Sequence, residues 1–359
     1  MSTQIPPVNP PALVLLTGIN GHLASAIALR LLEKGYKVRG TVRKLRSASY
    51  IQKEFERFGD LLEIVETGND IVAPGVFDNA LQGVDAVVHA ASPVTMDAKT
   101  KEEQYVPAVD GTLNILRSAQ KVPSVKRFLY LGSLGSVVMA DKDYKKEKAT
   151  RDDWNVVTEK MLEQVDNTSP AFGFLVYIGS KLVAEKAAWE FVKQEKPQFG
   201  FTAIDSAITL GPIHKELTGP PRQDQSLGML YDTLAKPPRV KGVSPVRDIG
   251  TVHVYDLADL FVASLTSEKT PGKRLLAVSA KTSWYDVTEL VKSKWPGRTD
   301  YPVKDDTAPH QDYPGALDIV FDTDLEKELL GGGWRSLEDS VLSAAKDLIA
   351  KEEKGWDKL

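Results

Sequence analysis

Residues 12–24 read ALVLLTGINGHLA, and the architecture of the chain can be inferred from them. An apolar run ends at Thr17, glycines follow at positions 18 and 21, and an amphipathic pattern begins at His22. Glycines let the backbone turn sharply and approach a diphosphate, whose charge is met by the amides at a helix N-terminus. Because strand, glycines and helix stand in the required order, the pattern predicts a dinucleotide site rather than a simple glycine turn. The residues predicted to line its phosphate part are Gly18, Ile19, Asn20, Gly21, His22 and Leu23.

Outward from this segment, short apolar runs alternate with longer amphipathic ones. That alternation is typical of strand-helix-strand units in which a parallel sheet is buried on both faces. We therefore predict an α/β fold of the Rossmann type, with a doubly wound parallel sheet. Its strands are predicted at residues 12–17, 36–42, 61–66, 84–89, 127–131 and 199–205. Its helices are predicted at residues 22–34, 101–121 and 174–193.

Composition divides the chain into three parts. Residues 1–11 contain four prolines and no basic residue, so we expect a flexible leader rather than a signal peptide. Residues 12–211 are predicted to form the nucleotide-binding domain, which also carries the catalytic residues. Residues 212–359 are predicted to form mainly a substrate-binding lobe, with some segments returning to the first domain. Further helices are predicted at residues 256–265, 284–292 and 336–350, and a charged surface loop at residues 140–155.

The composition also excludes several kinds of chemistry. The 359 residues include no cysteine, which excludes disulfides, thiolate catalysis and cysteine-ligated metals. Redox chemistry would need a bound organic cofactor, and no metal is expected. The net charge of -4 disfavours nucleic acid and anionic membranes as partners, and no apolar run reaches the roughly 18 residues that cross a bilayer. We expect a soluble, cytoplasmic protein that acts on a small molecule, as a monomer or a homodimer.

The end of the second predicted strand indicates which dinucleotide binds. Proteins that bind NAD usually carry an acidic residue there, which holds the ribose 2'-hydroxyl. Residues 38–44 read VRGTVRK instead, and Arg46 follows. Cations without an acid suit a 2'-phosphate, which favours NADPH with Arg43 as the main contact and Lys44 and Arg46 beside it. A solvated basic strand end is the alternative interpretation.

A second pattern concerns proton transfer. Tyr177 and Lys181 are four residues apart in a helical pattern, so their side chains share one helix face. A tyrosine has an ordinary pKa of about 10, and a nearby cation lowers it. The pair is therefore a candidate for acid and base chemistry, although the same spacing also arises on ordinary surface helices.

The fifth predicted strand supplies a third candidate, Ser133. Its position at the carboxyl end of the strand is where open parallel sheets bind ligands, so its hydroxyl is placed to donate to a carbonyl oxygen. Ser136 is the competing choice, and a turn serine is the structural alternative. Neither serine is accompanied by a histidine and carboxylate arrangement, which argues against hydrolase chemistry.

Five motifs together make the chain resemble the extended short-chain dehydrogenase/reductases over nearly its full length. The resemblance is greatest to the dihydroflavonol-reductase-like fungal aldehyde and ketone reductases. The motifs are TGxxGxxA at 17–24, VRGTVR at 38–43, HAASP at 89–93, PAVDGTLN at 107–114 and YxxxK at 177–181. Their order and spacing match the family.

The resemblance implies a role for each catalytic candidate. Tyr177 would donate the proton, Lys181 would lower the pKa of Tyr177 and hold the nicotinamide ribose, and Ser133 would polarise the carbonyl. Two departures from the family pattern concern this region. Residues 131–133 read LGS where many relatives have Thr-Ser-Ser, and residues 206–212 read SAITLGP where relatives have Asn-Pro before a Gly-Pro turn.

The resemblance also implies further cofactor contacts. Asp70 and Ile71 would hold the adenine, and Asn114 would position the catalytic helix through its backbone. The remaining contacts, beside the ribose and the nicotinamide, would be Ala90, Ala91, Ser92, Ile208 and Thr209.

The expected activity is NADPH-dependent reduction of aldehydes and prochiral ketones, including ketoesters, to chiral alcohols. Walls of the substrate pocket are predicted at residues 93–97, 134–137, 172–174, 226–230 and 244–250. Two alternatives use the same fold: a sugar-nucleotide epimerase or dehydratase, and a protein that senses a dinucleotide without turnover.

Overall fold

The computed structural model describes residues 5–92, 97–139, 148–169, 171–221, 224–234, 249–298 and 319–356. The strands in these ranges are β1 (Leu13–Thr17), β2 (Lys37–Val42), β3 (Leu62–Glu66), β4 (Ala86–His89), β5 (Arg127–Ser133), β6 (Lys148–Ala149), β7 (Gly200–Ser206), β8 (Ile208–Leu210), β9 (Ile249–His253), β10 (Lys273–Ala277), β11 (Ala280–Thr282) and β12 (Val320–Phe321). The α-helices are α1 (His22–Glu33), α2 (Ser49–Glu54), α3 (Glu102–Gln120), α4 (Thr158–Leu162), α5 (Phe172–Glu195), α6 (Gln225–Leu234), α7 (Val254–Thr266), α8 (Trp284–Lys294), α9 (Asp324–Leu329) and α10 (Leu337–Glu353).

The core of the molecule is a seven-stranded parallel sheet in the order β10-β7-β5-β4-β1-β2-β3. The order runs outward from β1 in both directions, as in a doubly wound sheet, so the predicted fold class is confirmed. The carboxyl ends of β1, β4 and β5 are therefore neighbours, and the segments that follow these strands meet at one edge of the sheet.

Both faces of the sheet are covered, which explains the continuous apolar runs of the strands. Side chains of successive residues point to opposite faces: Val14 and Leu16 join one buried cluster, whereas Leu15 joins another. On the first face α1 packs against α7, and on the second α3 packs against α5. None of the helices in the described part of the chain is both long and apolar enough to span a membrane.

A smaller unit follows β7. It contains the three-stranded sheet β11-β9-β8 and the helices α6, α8 and α10, which share a third buried cluster. Two segments of the same part of the chain lie elsewhere, however. Strand β10 pairs with β7 as the seventh strand of the main sheet, and α7 packs on α1. Only six strands were predicted from the sequence, because the short β10 segment, KRLLA, begins with two charged residues and does not read as an apolar run.

Two other expectations are wrong for the residues that the structure describes. The start of the chain is not a free leader from residue 5 onward, because the Val8 amide donates to the Leu265 carbonyl and the Val8 side chain is buried. The charged segment that was expected on the surface is also partly internal. Its residues Ala149 and Asn155 are buried, and β6 pairs with β12.

Candidate active site

The glycine-rich turn joins β1 to α1 and leaves the N-terminus of the helix open. Gly18 has a φ of 69°, and a β-carbon there would lie 3.2 Å from the β-carbon of Ala91. Gly21 precedes the helix, and no side chain caps the helix amides there. A left-handed glycine beside a neighbouring strand end, followed by uncapped amides, fits the diphosphate of a dinucleotide.

The next two residues of the turn have different roles. Ile19 is fully buried, and a β-carbon on Gly40 of β2 would lie 2.5 Å from its Cδ1 atom. Its side chain therefore packs β1 against β2, and its amide donates to the Thr41 carbonyl oxygen at 3.1 Å, which leaves only its carbonyl group for a cofactor. Asn20 donates from Nδ2 to the carbonyl oxygen of Ser47 at 3.4 Å. This contact brings the turn close to the basic segment that follows β2.

That basic segment is exposed. Arg43, Lys44 and Arg46 all lie at the surface, and none of them forms an ion pair with another described residue. Glu66 at the end of β3 accepts the Leu45 amide through its Oε2 atom at 2.9 Å. Free cations beside a phosphate turn fit the 2'-phosphate of NADPH.

A threonine ties the phosphate turn to the end of β4. Thr17 is fully buried, and its Oγ1 atom accepts the amides of Ala90 at 3.0 Å and Ala91 at 2.9 Å. Because Oγ1 accepts both amides, the Thr17 hydroxyl donates its own proton to Nδ1 of His89, 2.9 Å away. His89 therefore carries its proton on Nε2, and burial lowers its pKa to about 3. The segment of Ala90, Ala91 and Ser92 thus starts from a rigid anchor.

The predicted adenine contacts follow β3. Asp70 is exposed and accepts the Val72 amide, and Ile71 packs against Gly111 of α3. The predicted role of the Asn114 backbone in positioning the catalytic helix stays a prediction. The Asn114 side chain donates to the carbonyl oxygens of Ile71 at 2.9 Å and Ala73 at 2.6 Å, so it holds the adenine-side loop in place.

The catalytic pair lies on α5, as the spacing predicts. Lys181 is buried, and its Nζ atom lies 5.5 Å from the centre of the Tyr177 ring. Burial lowers the pKa of Lys181 to about 8. Burial also raises the pKa of Tyr177, and the charge of Asp224 raises it further. The expected lowering of the tyrosine pKa is therefore wrong for this structure, because burial is the largest influence on the phenol.

The structure distinguishes the two candidate serines. Ser133 ends β5 and is partly exposed, and its Oγ atom accepts the Gly135 amide at 3.2 Å. The hydroxyl proton of Ser133 remains available. Ser136 is fully buried, and its hydroxyl has no hydrogen-bond partner among the described residues. Ser133 is therefore the better placed of the two to meet a substrate.

The serine turn is held by a residue that the sequence analysis missed. Asn155 is buried, and its Nδ2 atom donates to the carbonyl oxygen of Gly135 at 2.7 Å and to the Thr158 hydroxyl at 2.7 Å. The Asn155 amide donates to the carbonyl oxygen of Ser136 at 2.9 Å. The same turn packs on α5, where a β-carbon on Gly135 would lie 2.8 Å from Cδ1 of Ile178. The turn with Ser133 is thus fitted to the helix of Tyr177.

The predicted nicotinamide contacts lie on β8. Ile208 is half-buried, whereas Thr209 is fully buried and its hydroxyl donates to the Ala207 carbonyl. The Thr209 side chain is therefore occupied internally, which does not support it as a contact. His22 is buried as well, and its ring interacts with the backbone of Thr209. Burial lowers the pKa of His22, so its imidazole is neutral and only its backbone meets the phosphate turn.

Part of the predicted pocket wall lies within the structure. Leu134 meets Gly250, where a β-carbon would lie 3.0 Å from Cδ2 of Leu134. This contact brings together the walls predicted at residues 134–137 and at the end of 244–250. Residues 93–96 and 244–248 lie outside the described residues.

These features define a dinucleotide-binding α/β protein with a tyrosine and lysine pair beside a strand-end serine. The chain belongs to the NAD dependent epimerase/dehydratase family, whose family model matches residues 14–277. Aldehyde reductase 2 of Sporidiobolus salmonicolor is 31% identical over 352 residues, which cover 95% of this chain and 96% of that protein. A putative NADPH-dependent methylglyoxal reductase of Candida albicans, GRP2, is 29% identical and covers 91% of this chain and 97% of that protein.

A solved reductase structure is also similar to this chain. The yeast methylglyoxal/isovaleraldehyde reductase Gre2 complexed with NADPH superposes with a TM-score of 0.80 at 26% identity. The match covers 95% of this chain and 99% of that chain. The resemblance to fungal aldehyde and ketone reductases that the motifs indicated is thereby confirmed.

Proposed function

We propose that this protein is an NADPH-dependent carbonyl reductase that converts aldehydes and prochiral ketones, including ketoesters, into chiral alcohols. The observation that carries the proposal is the packing of the serine turn on α5, which brings the strand end of Ser133 to the helix of Tyr177 and Lys181. The activities named for the relatives, on aldehydes and on methylglyoxal, support the same reaction class.

The cofactor would be held by groups already described. The diphosphate would meet the uncapped amides of His22 and Leu23 at the start of α1, and the 2'-phosphate would meet Arg43 with Lys44. Bound NADPH supplies the hydride that reduces the carbonyl carbon. The free cations beside the phosphate turn support NADPH over NADH, which also disfavours an epimerase that retains NAD.

The protein's own residues would handle the proton. The Tyr177 phenol is protonated at neutral pH, as the ordinary tyrosine pKa of about 10 requires, and burial raises its pKa further, so it enters the reaction as an acid rather than a base. In the reductive direction an acid is what the carbonyl oxygen requires. Lys181 has a pKa of about 8, so it is mostly cationic at neutral pH. Its charge would stabilise the phenolate that remains after Tyr177 has donated, and the Ser133 hydroxyl would hold the carbonyl oxygen.

The test is consumption of NADPH and of NADH against aromatic ketones, β-ketoesters and aliphatic aldehydes, in wild type and in Tyr177→Phe. We expect turnover with a preference for NADPH in the wild type. Tyr177→Phe should lose turnover while its NADPH affinity, measured by fluorescence, stays close to wild type. Tyr36→Phe is the matched control, because that buried hydroxyl donates only to the Val8 carbonyl, away from the site.

Two results would contradict the proposal. Tight NADPH binding without any consumption across the panel would indicate a sensing protein. Turnover in Tyr177→Phe comparable to that in Tyr36→Phe would remove Tyr177 as the proton donor.

A further inference from the structure

A cluster of buried charged side chains lies behind the candidate active site. Asp205 on β7 and Glu185 on α5 are fully buried, and Arg274 on β10 is 6% exposed. Buried charges are strongly disfavoured unless they are paired. Two carboxyl groups here share one guanidinium group, so the pairing is incomplete.

The guanidinium group is directed at Glu185. Arg274 donates from Nε to Oε1 of Glu185 at 2.6 Å and from Nη2 to Oε2 at 3.2 Å, and Trp189 adds a third bond at 3.1 Å. Nη2 of Arg274 also lies 3.2 Å from Oδ2 of Asp205. Besides this contact Asp205 interacts with the Glu185 carboxyl group, and neither of its oxygens has a further hydrogen-bond donor among the described residues. Glu185 is thus a satisfied carboxylate, whereas Asp205 is not.

The other charged neighbours do not supply the missing cation. Arg151 lies 3.4 Å from Glu326, a third fully buried carboxyl that also accepts the Leu276 amide. On β5, burial raises the pKa of Tyr130, and the neighbouring Glu185 and Asp205 carboxyl groups raise it further. Three buried carboxyls therefore stand against two guanidinium groups. One proton makes the cluster neutral.

Further from Asp205, other charged groups interact with Arg274 rather than with Asp205 itself. Asp152 interacts with the Arg274 charge and is exposed. Lys186 lies over the ring of Trp154, whose other neighbour is the Arg274 guanidinium at 3.9 Å. None of these groups compensates a charge on Asp205.

Asp205 also lies directly against the strand that carries Ser133. Asp205 is paired in register with Gly132, and Ser206 with Ser133. A β-carbon on Gly132 would collide with Oδ1 of Asp205, so the carboxyl group occupies the space that a side chain at position 132 would take. This accounts for a glycine at position 132. On the other side, Glu185 follows Lys181 by one helical turn.

We propose that Asp205 is a positioning residue that carries a proton in the folded protein. As the neutral acid it fills the space beneath Gly132 and joins the strand of Ser133 to the helix of Tyr177 and Lys181, through Glu185. Loss of that proton at alkaline pH leaves a bare charge in the cluster and disturbs the alignment of the serine with the tyrosine. The catalytic part of this inference rests on the proposed function.

The electrostatics agree with the geometry. Burial raises the pKa of Asp205 well above its ordinary range, and the Glu185 charge raises it further, while Arg274 opposes the shift. A carboxyl group whose folded pKa is raised stabilises the fold below its unfolded pKa, and this contribution is lost as the pH rises toward the folded pKa. The wild type should therefore lose stability progressively as the pH rises from about 3.9, the ordinary pKa of an aspartate, toward the folded pKa, and it should lose activity once the folded carboxyl group ionises.

Asp205→Asn is the decisive variant, because the amide has the shape of the neutral acid and cannot ionise. Asp256→Asn is the matched control: Asp256 is also buried, but Arg335 is paired with it and its Oδ2 atom accepts the Arg335 amide at 2.7 Å. Infrared difference spectra of the resting protein at neutral pH should show a protonated carboxylic acid in the wild type and in Asp256→Asn. That band should be missing in Asp205→Asn.

The infrared result does not depend on turnover, so it separates this inference from the proposed reductase activity. If the wild type lacks the protonated band, or if Asp205→Asn retains it, the inference is wrong. Failure of Asp205→Asn to fold would also overturn it, because a neutral isostere should be tolerated.

Kinetics test the positioning part. The kcat of Asp205→Asn should be within about threefold of wild type near pH 6, and its alkaline decline should begin at a higher pH than that of wild type. Gly132→Ala should lower kcat with little change in NADPH affinity, since its methyl group meets the Asp205 carboxyl. Asp205→Ala should restore part of that loss in the double variant. An unchanged alkaline limb in Asp205→Asn, or strictly additive losses in the double variant, would contradict the positioning role.

Discussion

Thr17→Val removes one hydroxyl group and leaves the shape of the side chain nearly unchanged. In the structure this hydroxyl accepts the amides of Ala90 and Ala91 and donates to Nδ1 of His89. Thr17 is fully buried, so water cannot replace these bonds at the threonine itself. The variant therefore leaves two amide donors and one imidazole acceptor without a partner.

The size of the effect follows from those three groups. A polar group that is buried and left unpaired costs about 1 to 3 kcal/mol. Ala90 and Ala91 are only partly buried, so the cost of leaving each of their amides unpaired should lie at the lower end of this range. We therefore expect Thr17→Val to lower the free energy of unfolding by about 3 to 4 kcal/mol. Thr17→Ser keeps the hydroxyl and loses one methyl group, so it should lose only about 1 kcal/mol.

The assay is urea unfolding at neutral pH, with NADPH dissociation constants measured on the same samples. The slope of the free energy against urea should be equal in the three proteins, so that midpoints report stability alone. NADPH should bind more weakly to Thr17→Val than to Thr17→Ser, because the segment of residues 90–92 has lost its anchor. The reasoning is refuted if the valine and serine variants unfold within about 1 kcal/mol of each other.

Three further changes test other parts of the site. Arg43→Ala should weaken NADPH binding roughly 10- to 100-fold, the value of one charged hydrogen bond, and leave NADH binding unchanged; equal losses for both cofactors would contradict the 2'-phosphate contact. Asn155→Ala should lower kcat, and it should lower the free energy of unfolding by about 1 to 3 kcal/mol, because the turn after Ser133 loses a hydrogen bond that holds it. NADPH affinity should not change, and an unchanged kcat would contradict this role of Asn155. Burial lowers the pKa of His253 to about 4. The stabilising contribution of the neutral His253 is therefore complete above the unfolded pKa of about 6.5 and is lost as the pH falls toward the folded pKa. His253→Asn keeps an acceptor for the Tyr255 amide and should recover about 2 kcal/mol of the unfolding free energy that the wild type loses between neutral pH and pH 5. The unfolding free energy is measured at both pH values, and an equally large loss in the variant would exclude His253 as its cause.

Much of the architecture is readable from local pattern. The six predicted strands lie within two residues of the observed bounds, since a strand buried on both faces must be apolar along its whole length. The glycine-rich turn is readable for a similar reason. A positive φ at Gly18 is a requirement of one residue and its immediate neighbours. Likewise, the spacing of four positions from Tyr177 to Lys181 places both on one face of any helix.

Other parts of the site depend on which distant segments become neighbours. The pKa of Tyr177 depends on how much of the protein covers it, so its spacing from Lys181 did not predict the direction of the shift. Asn155 supports the serine turn from within a segment whose composition resembles a surface loop. Its role appears only when that segment folds under β5.

The same contrast applies to Asp205 and Arg274. Asp205 follows an apolar run and looks like an ordinary strand-end residue, and Arg274 lies in a short run that carries no motif. Their burial beside Glu185 comes from the pairing of β7 with β10 and the packing of α5 over the sheet. Periodicity and glycine placement are local properties that a linear pattern contains, whereas burial of a charge is a property of the assembled neighbours, and it exists only in the folded chain.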